Sequence, residues 1–166
     1  MASTPERINL ERGAFGAVVE GLLAEGLCVR FRAGGHSMTP TIEDGEILIV
    51  APATAGEVDV ADLLFCSTRS RAVAHRLLAI TAGADGGRLL TLCGDAALET
   101  DRPVAATEVR GRVIGVERAG RRVDVEVKAG SWGRRMLLAA FELRRSIRCW
   151  RARRWLAPLA SSRAAG

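Results

Sequence analysis

Residues 34–46 read GGHSMTPTIEDGE, and they separate two short segments that each have the pattern of a β-strand. The segment before them, residues 29–32 (VRFR), alternates apolar and charged side chains, as a half-buried strand does. The segment after them, residues 47–50 (ILIV), is a continuous apolar run of strand length. Glycine, proline and the Asp44-Gly45 pair are typical of turns. The sequence therefore predicts two strands joined by a loop that carries Ser37.

The same signals continue along the chain and indicate a mostly β body. Further candidate strands lie at residues 63–66 (LLFC), 73–80 and 89–92 (LLTL). Residues 109–117 and 123–127 (VDVEV) have the pattern of two hairpin arms joined across Ala119-Gly120. Many short strands separated by glycine and proline turns predict a mainly β fold.

Helical periodicity marks both ends of the chain. Within residues 7–25 the apolar positions follow the i, i+3, i+4 spacing of one helix face: Phe15, Val18, Val19, Leu22 and Leu23. From residue 132 the helical period returns, with arginines outside a narrow apolar arc that contains Trp132, Met136, Leu143, Ile147 and Trp150. We therefore expect an N-terminal helical segment (1–28), a β domain (29–130) and a basic amphipathic helical tail (131–166).

Charge is divided unevenly between the body and the tail. Residues 1–130 hold 15 Lys and Arg against 18 Asp and Glu, a net charge of −3. Residues 131–166 hold nine Arg and one Glu, a net charge of +8. A basic tail of this kind suggests an anionic partner, either a membrane surface or a nucleic acid.

Several classes of protein are disfavoured. The longest stretch without a charged residue or histidine is ten residues, 47–56, whereas a membrane-spanning helix needs about 20 apolar residues. The polar start MASTPERINLER does not fit a secretory signal peptide. The four cysteines form no C-x-x-C motif, so we expect reduced thiols, no structural zinc, no other metal and no cofactor. These features favour a cytoplasmic location, with peripheral binding at the inner membrane surface left open.

Ser37 is the first candidate for chemistry. The two glycines before it allow close backbone approach, and they leave amide hydrogens free to form an oxyanion hole. The chain has only two histidines. In an extended segment the side chain of His36 would point away from its neighbour Ser37. His75 could reach the serine from another strand. The non-catalytic alternative is that Ser37 is only a turn residue and His75 only a packed histidine.

Five motifs, taken in order, carry a resemblance to a known superfamily. They are residues 35–46 (GHSMTPTIEDGE), 58–65 (VDVADLLF, with Asp62 as its acid), 75–78 (HRLL), 94–101 (GDAALETD) and 111–115 (GRVIG). The set resembles the type I signal peptidase and LexA-like serine peptidase superfamily, over roughly residues 29–118. It implies the β fold of those enzymes and a serine endopeptidase that cleaves a leader or signal sequence after a small residue.

The resemblance also implies roles for individual residues. Most bacterial type I signal peptidases and the LexA-type repressors pair the serine with a lysine. Here the base position holds His75, and the single lysine, Lys128, follows the last motif. The chain is thus similar to the Ser-His-Asp branch, which includes the archaeal, endoplasmic-reticulum and SipW-type signal peptidases. Ser37 would be the nucleophile, His75 the general base and Asp101 the acid that orients the imidazole. Asp95 would be a supporting acid and is also the alternative to Asp101.

The chain departs from the family pattern in three places. Gly35 stands where many relatives have a serine that assists the oxyanion hole, so the Ser37 amide would carry more of that task. Ala61 replaces a glycine before Asp62. Family members usually place a membrane anchor before the nucleophile, whereas the predicted helix here carries Glu20 and cannot span. We also expect Met38 to shape the nucleophile loop.

Two interpretations of the tail stay open. Residues 132–155 could bind an anionic membrane surface, or the tryptophan side of the helix could pack on the β body with its arginines in solvent. Because every motif precedes residue 117, we expect the active site to be independent of the tail.

The alternative functions are a self-cleaving LexA-like regulator and a non-catalytic module that binds membrane or nucleic acid through its tail. Only about 36 residues precede Ser37, too few for a DNA-binding domain together with a cleavage loop. The upstream Ala-Gly bond, Ala33-Gly34, lies only three residues from the serine. Nucleic acid is disfavoured because the chain shows no base-stacking pattern.

Overall fold

The computed structural model describes residues 12–67, 72–84, 86–126 and 130–161. It contains two helices, eight strands and a short 3-10 turn within those ranges. In chain order these are α1 (Arg12–Ala24), β1 (Val29–Arg32), β2 (Ile47–Pro52), β3 (Leu63–Ser67), β4 (Ala72–Ala82), β5 (Arg88–Cys93), β6 (Val104–Ala105), the 3-10 turn (Ala106–Glu108), β7 (Val109–Arg118), β8 (Arg121–Asp124) and α2 (Ser131–Ser161). The predicted helix start, residues 7–11, lies outside the described residues.

The strands form one antiparallel sheet, which confirms the mainly β fold with a helix at each end. The strand order is β1-β2-β7-β3-β4-β5-β6, and β8 pairs with β7 beside this path. Strand β7 thus pairs with β2, β3 and β8 and ties the two halves of the sheet together. In this order three strands separate β1 from β4, but the sheet curls, so that the loop after β1 contacts β4 at His75.

Two apolar clusters form the core. One lies beneath α1, where Val19 and Leu23 are buried against strand residues such as Val50 and Val113. The other surrounds Leu64 and Leu92. The predicted apolar face of α1 is only partly covered, because Val18 and Leu22 lie at its exposed margin, while Phe15 is half-buried.

The predicted hairpin joins β7 to β8. Ala119 and Gly120 form its two-residue turn with φ values of 48° and 74°, the left-handed conformations that a tight hairpin requires. Strand β8 starts directly after the turn at Arg121 and ends at Asp124, earlier than the sequence predicts. Residue 127, the predicted end of that arm, lies outside the described residues.

Helix α2 contacts the β body through its arginine side. Arg134 donates to Asp62 Oδ1 at 2.5 Å, and Arg148 donates to the Asp95 carbonyl oxygen at 2.6 Å. The apolar positions Trp132 and Leu143 are exposed, so the packing of the tryptophan side on the body is not what the described residues show. The side chain of Trp150, predicted in the same arc, is outside the described part, as is that of Trp155. Within the described residues, neither helix is apolar over a length that would cross a bilayer.

Candidate active site

Ser37 lies in the loop between β1 and β2, and the residue is exposed. Gly35 precedes it with φ of +93°, a conformation that glycine adopts without strain, and the Gly35 N–H donates to Asp44 Oδ1 at 2.7 Å. After the serine, Met38 and Ile42 are buried, and the Ile42 N–H donates to the Met38 carbonyl at 3.0 Å. The loop is therefore anchored on both sides of an exposed hydroxyl.

The end of this loop is fixed by an ion pair. Glu46 accepts hydrogen bonds from the Arg118 guanidinium on β7 and from the Glu43 N–H. The hydrogen bond from Arg118 is the main cause that lowers the pKa of Glu46 below its ordinary value. The loop is thereby held to strand β7 as well as to its flanking strands.

His75 reaches the serine from strand β4. Its Nε2 lies 3.0 Å from Ser37 Oγ, and its Nδ1 forms a short hydrogen bond with Asp101 Oδ2. The imidazole is buried, with 8% of His75 exposed. When His75 carries its proton on Nδ1, the ring donates to the carboxylate and leaves Nε2 free to accept from the serine hydroxyl. This is the order of contacts found in a Ser-His-Asp triad.

The two candidate acids have different partners. Asp101 contacts His75, and its N–H donates to the Leu92 carbonyl at 2.9 Å, which holds the loop after β5 in place. Asp95 instead accepts two hydrogen bonds from Arg76, at 2.8 Å and 2.6 Å, and a third from the Thr41 hydroxyl. The structure thus brings Asp101, and not Asp95, to the imidazole, while Asp95 ties β4 to the nucleophile loop.

The Gly94–Ala97 turn forms the wall behind the nucleophile. The Ala96 N–H donates to the Ser37 carbonyl at 2.8 Å. A Cβ atom on Gly94 would stand 2.5 Å from that carbonyl oxygen and 3.0 Å from Ser37 Cβ. Only glycine allows the two backbones to approach this closely, so the glycine of the GDAALETD motif sets the position of the serine.

An open pocket of about 180 Å³ lies beside Ser37 and His75. Its walls are mostly apolar, and Phe15, Phe31 and Phe65 follow one another along them, with ring centroids 5.1 Å and 5.5 Å apart. Phe15 comes from α1, so the N-terminal helix supplies part of the wall. The pocket can receive an apolar side chain directly next to the serine hydroxyl.

A second group of contacts connects α2 to the elements that carry the site. The Arg76 guanidinium, which holds Asp95, lies 5.9 Å from the centre of the Phe141 ring on α2. Arg148 donates to the carbonyls of Asp95 and Ala97, at 2.6 Å and 3.4 Å. The expectation that the site is independent of the tail is therefore wrong at the level of contacts, because α2 binds the turn that packs behind Ser37.

Asp62, the acid of the VDVADLLF motif, forms ion pairs that connect neighbouring elements of the fold. It is 1% exposed and pairs with Arg134 of α2 and, at 3.7 Å, with Arg112 of β7. Ala61 before it has φ of 75°, in the left-handed region that favours glycine. The alanine thus occupies a backbone conformation in which a glycine would be unstrained.

The described residues contain no group of three or more His, Cys, Asp or Glu side chains able to hold a metal ion. Cys66 is buried in β3, and its burial raises the pKa of the thiol to about 12. Cys93 at the end of β5 is also buried, and desolvation raises the pKa of its thiol as well. A high pKa removes the thiolate that a cysteine nucleophile requires.

Comparison of this chain with protein-family models, with curated proteins and with solved structures found no match.

Sequence reasoning gave no role to three side chains that the structure brings to the site. Arg76 was quoted within a motif, and its buried position beside Asp95 depends on the pairing of β4 with β5. Phe15 was assigned only to a helix face. Arg148 was predicted only to lie outside the apolar arc, because a helical period indicates which residues share a face and not what that face contacts.

Proposed function

We propose that this chain is a serine endopeptidase of the signal-peptidase type, which cleaves a leader or signal sequence after a small residue. The observation that carries the proposal is the single line of contacts from Ser37 Oγ through His75 to Asp101. These residues come from three separate segments, and each has the partner that its role requires. A buried imidazole between an exposed hydroxyl and a carboxylate is the arrangement that activates a serine.

In the proposed mechanism, His75 Nε2 accepts the hydroxyl proton while Ser37 Oγ attacks the carbonyl carbon of the scissile bond. The imidazolium that forms is stabilised by Asp101, which also holds the ring in the required orientation. His75 then gives the proton to the leaving amine, and the peptide's acyl group remains on Ser37. Water repeats the two proton transfers and releases the acyl group.

The oxyanion of each tetrahedral intermediate needs hydrogen-bond donors. The Ser37 N–H donates to no acceptor among the described residues, so it is available for this purpose. With Gly35 two places earlier, no side-chain hydroxyl is supplied from that position. Backbone donors in the loop therefore carry this part of the proposed mechanism.

The substrate residue before the scissile bond would enter the pocket beside Ser37. The apolar lining of that pocket supports an uncharged side chain, and Met38 lies buried at its edge. The preference for a small residue such as alanine follows from the resemblance. A polypeptide is therefore the proposed substrate, and no cofactor is required.

Self-cleavage at the upstream Ala33-Gly34 bond is not supported by the geometry. The Ala33 N–H donates to the Glu46 carbonyl at 2.7 Å, and the Ala33 carbonyl accepts from the Gly45 N–H at 3.0 Å. Both groups next to this bond are thus engaged in pairing across the base of the nucleophile loop. Cleavage there would first require the loop to unfold.

Profiling with an unbiased peptide library tests the proposal. We expect the purified chain to cleave after small residues and the Ser37→Ala variant to cleave nothing. Cleavage mainly after phenylalanine or arginine would contradict the signal-peptidase type and leave a general serine peptidase. Equal cleavage by the variant would contradict any serine mechanism at this residue.

A further inference from the structure

Helix α2 presents an unusual two-sided surface. Four large apolar side chains, called here the stripe, remain between 48% and 74% exposed: Trp132, Met136, Leu143 and Ile147. At 100° per residue the four lie within about 60° of the helix circumference. They therefore form one continuous band along the helix and not a scatter of single exposed residues.

The stripe faces away from the β body. The body is contacted from the opposite side of the helix, by Arg134 at Asp62, Phe141 at Arg76 and Arg148 at the Asp95 carbonyl. Arg134 donates to the Asp62 carboxylate and Arg148 to a backbone carbonyl oxygen, so polar contacts and one ring contact attach α2. The apolar side of α2 is consequently free to bind another partner. The alternative arrangement, in which this side packs on the β body and the arginines lie in solvent, would have left no such surface.

The charge of the helix decides between possible partners. Within its 31 residues α2 carries eight Arg and one Glu, and Arg135 and Arg144 are exposed beside the stripe. A second copy of the chain would bring the same positive charge to the same band, which opposes self-association through it. A nucleic acid would satisfy the arginines and leave the apolar stripe in water. An anionic lipid surface satisfies both.

We propose that the stripe docks on an anionic membrane surface, with α2 lying parallel to it. The apolar side chains would enter the boundary between head groups and acyl chains, and the exposed arginines would pair with lipid phosphates. Tryptophan favours this boundary because its ring is apolar and its N–H is polar. The long arginine side chains can bury their stems and keep their charges at the phosphates.

Docking would also set the height of the catalytic loop. The inner side of α2 contacts the Gly94–Ala97 turn behind Ser37, and a helix with its side chains is about 10 Å thick. The serine would then act close to the lipid, on a peptide bond held near the membrane surface. This consequence rests on the proposed function, whereas the docking itself does not.

Vesicle flotation at low salt tests the docking with the intact chain. The probes are phosphatidylcholine vesicles with and without phosphatidylglycerol as about one lipid in three. The stripe variant is Trp132→Glu with Leu143→Glu. The charge-matched control is Leu27→Glu with Val123→Glu, which alters two exposed apolar residues away from α2.

We expect the intact chain and the control to float with the anionic vesicles, and the stripe variant to lose at least about tenfold in partitioning. Binding should weaken as salt screens the arginines. All three tryptophans of the chain lie in α2, so their fluorescence should shift to the blue on anionic vesicles only. None of these readouts requires peptidase activity, so a failure here is distinct from a failure of the proposed function.

Four results would overturn the proposal. The first is an intact chain that stays unbound at low salt, and the second is a stripe variant that floats as well as the intact chain. The third is a dimer in sedimentation, without lipid, that the stripe substitutions abolish. The fourth is a stripe variant whose thermal unfolding collapses while the control stays folded, because the stripe would then belong to the core.

Discussion

Gly94 lies so close to Ser37 that a Cβ atom at residue 94 would stand 2.5 Å from the Ser37 carbonyl oxygen. The obstructing atom belongs to the backbone, so it can move only if the nucleophile loop moves. The glycine that opens the GDAALETD motif therefore has a steric role that is separate from the acids that follow it.

Gly94→Ala should accordingly displace the nucleophile. We expect a loss of about 1–3 kcal/mol in the free energy of unfolding from overpacking. We expect turnover to fall by about 10²-fold if Ser37 shifts by about 1 Å. Gly56→Ala is the matched control, because its Cβ would meet only the Thr54 hydroxyl at 3.8 Å. Unchanged turnover in Gly94→Ala, measured with a cleaved library peptide, would show that the turn does not position the serine.

Substitutions of Asp101 and Asp95 should differ in their effects on turnover and on stability. Asp101→Asn should lower kcat by about 10³–10⁴-fold with a small change in Tm, because the amide no longer holds His75 in its acceptor tautomer. Asp95→Asn leaves the buried Arg76 without its carboxylate and should cost about 3–5 kcal/mol of stability. Thermal melting and kinetics of both variants decide the matter. An Asp101→Asn enzyme with normal kcat would remove Asp101 from the proposed triad.

Arg148 should matter for turnover although it lies on the tail helix. Arg148→Ala removes the donor to the Asp95 and Ala97 carbonyls, and loosening of that turn should lower kcat by about tenfold with KM nearly unchanged. Arg144→Ala removes the same charge from an exposed position of the same helix and serves as control. Equal kinetics for the two variants would mean that α2 does not support the site.

The cysteines should differ in reactivity according to burial. With a pKa of about 12, Cys66 carries the thiolate in only about one molecule in 10⁴ at pH 8. Exposed Cys28 should therefore react with iodoacetamide quickly, and Cys66 should react only as the chain unfolds. Peptide mapping by mass spectrometry measures both rates. Rapid labelling of Cys66 in the folded chain would contradict the packing of β3.

Local patterns predicted the strands well because the spacing of apolar side chains in each segment indicates which faces of the strand are buried. Residues 47–50 and 63–66 are continuous apolar runs, and both became central strands with both faces covered. The start of β8 was missed by two residues. Arg121 and Arg122 are exposed on an outer strand, so they lack the apolar side chains by which a buried strand is recognised in a sequence.

The site could be predicted only in part. The resemblance selected Ser37 and His75, and the structure places them 3.0 Å apart. Asp95 and Asp101 stand six residues apart in one loop, so spacing could not tell which of them reaches the imidazole. The direction in which α2 faces was also undetermined, because its period defines a stripe and leaves open which side the body contacts.

The central claim, that Ser37 is activated by His75, is tested most directly by cleavage kinetics of the intact chain and four variants on one library-derived peptide. We expect Ser37→Ala, His75→Ala and the double variant to lose at least about 10³-fold in kcat to a similar extent, because the pair acts as one unit. His36→Ala should keep a kcat close to that of the intact chain, because His75 is the imidazole that contacts the Ser37 hydroxyl. Wild-type turnover in His75→Ala, with Ser37→Ala inactive, would contradict the claim.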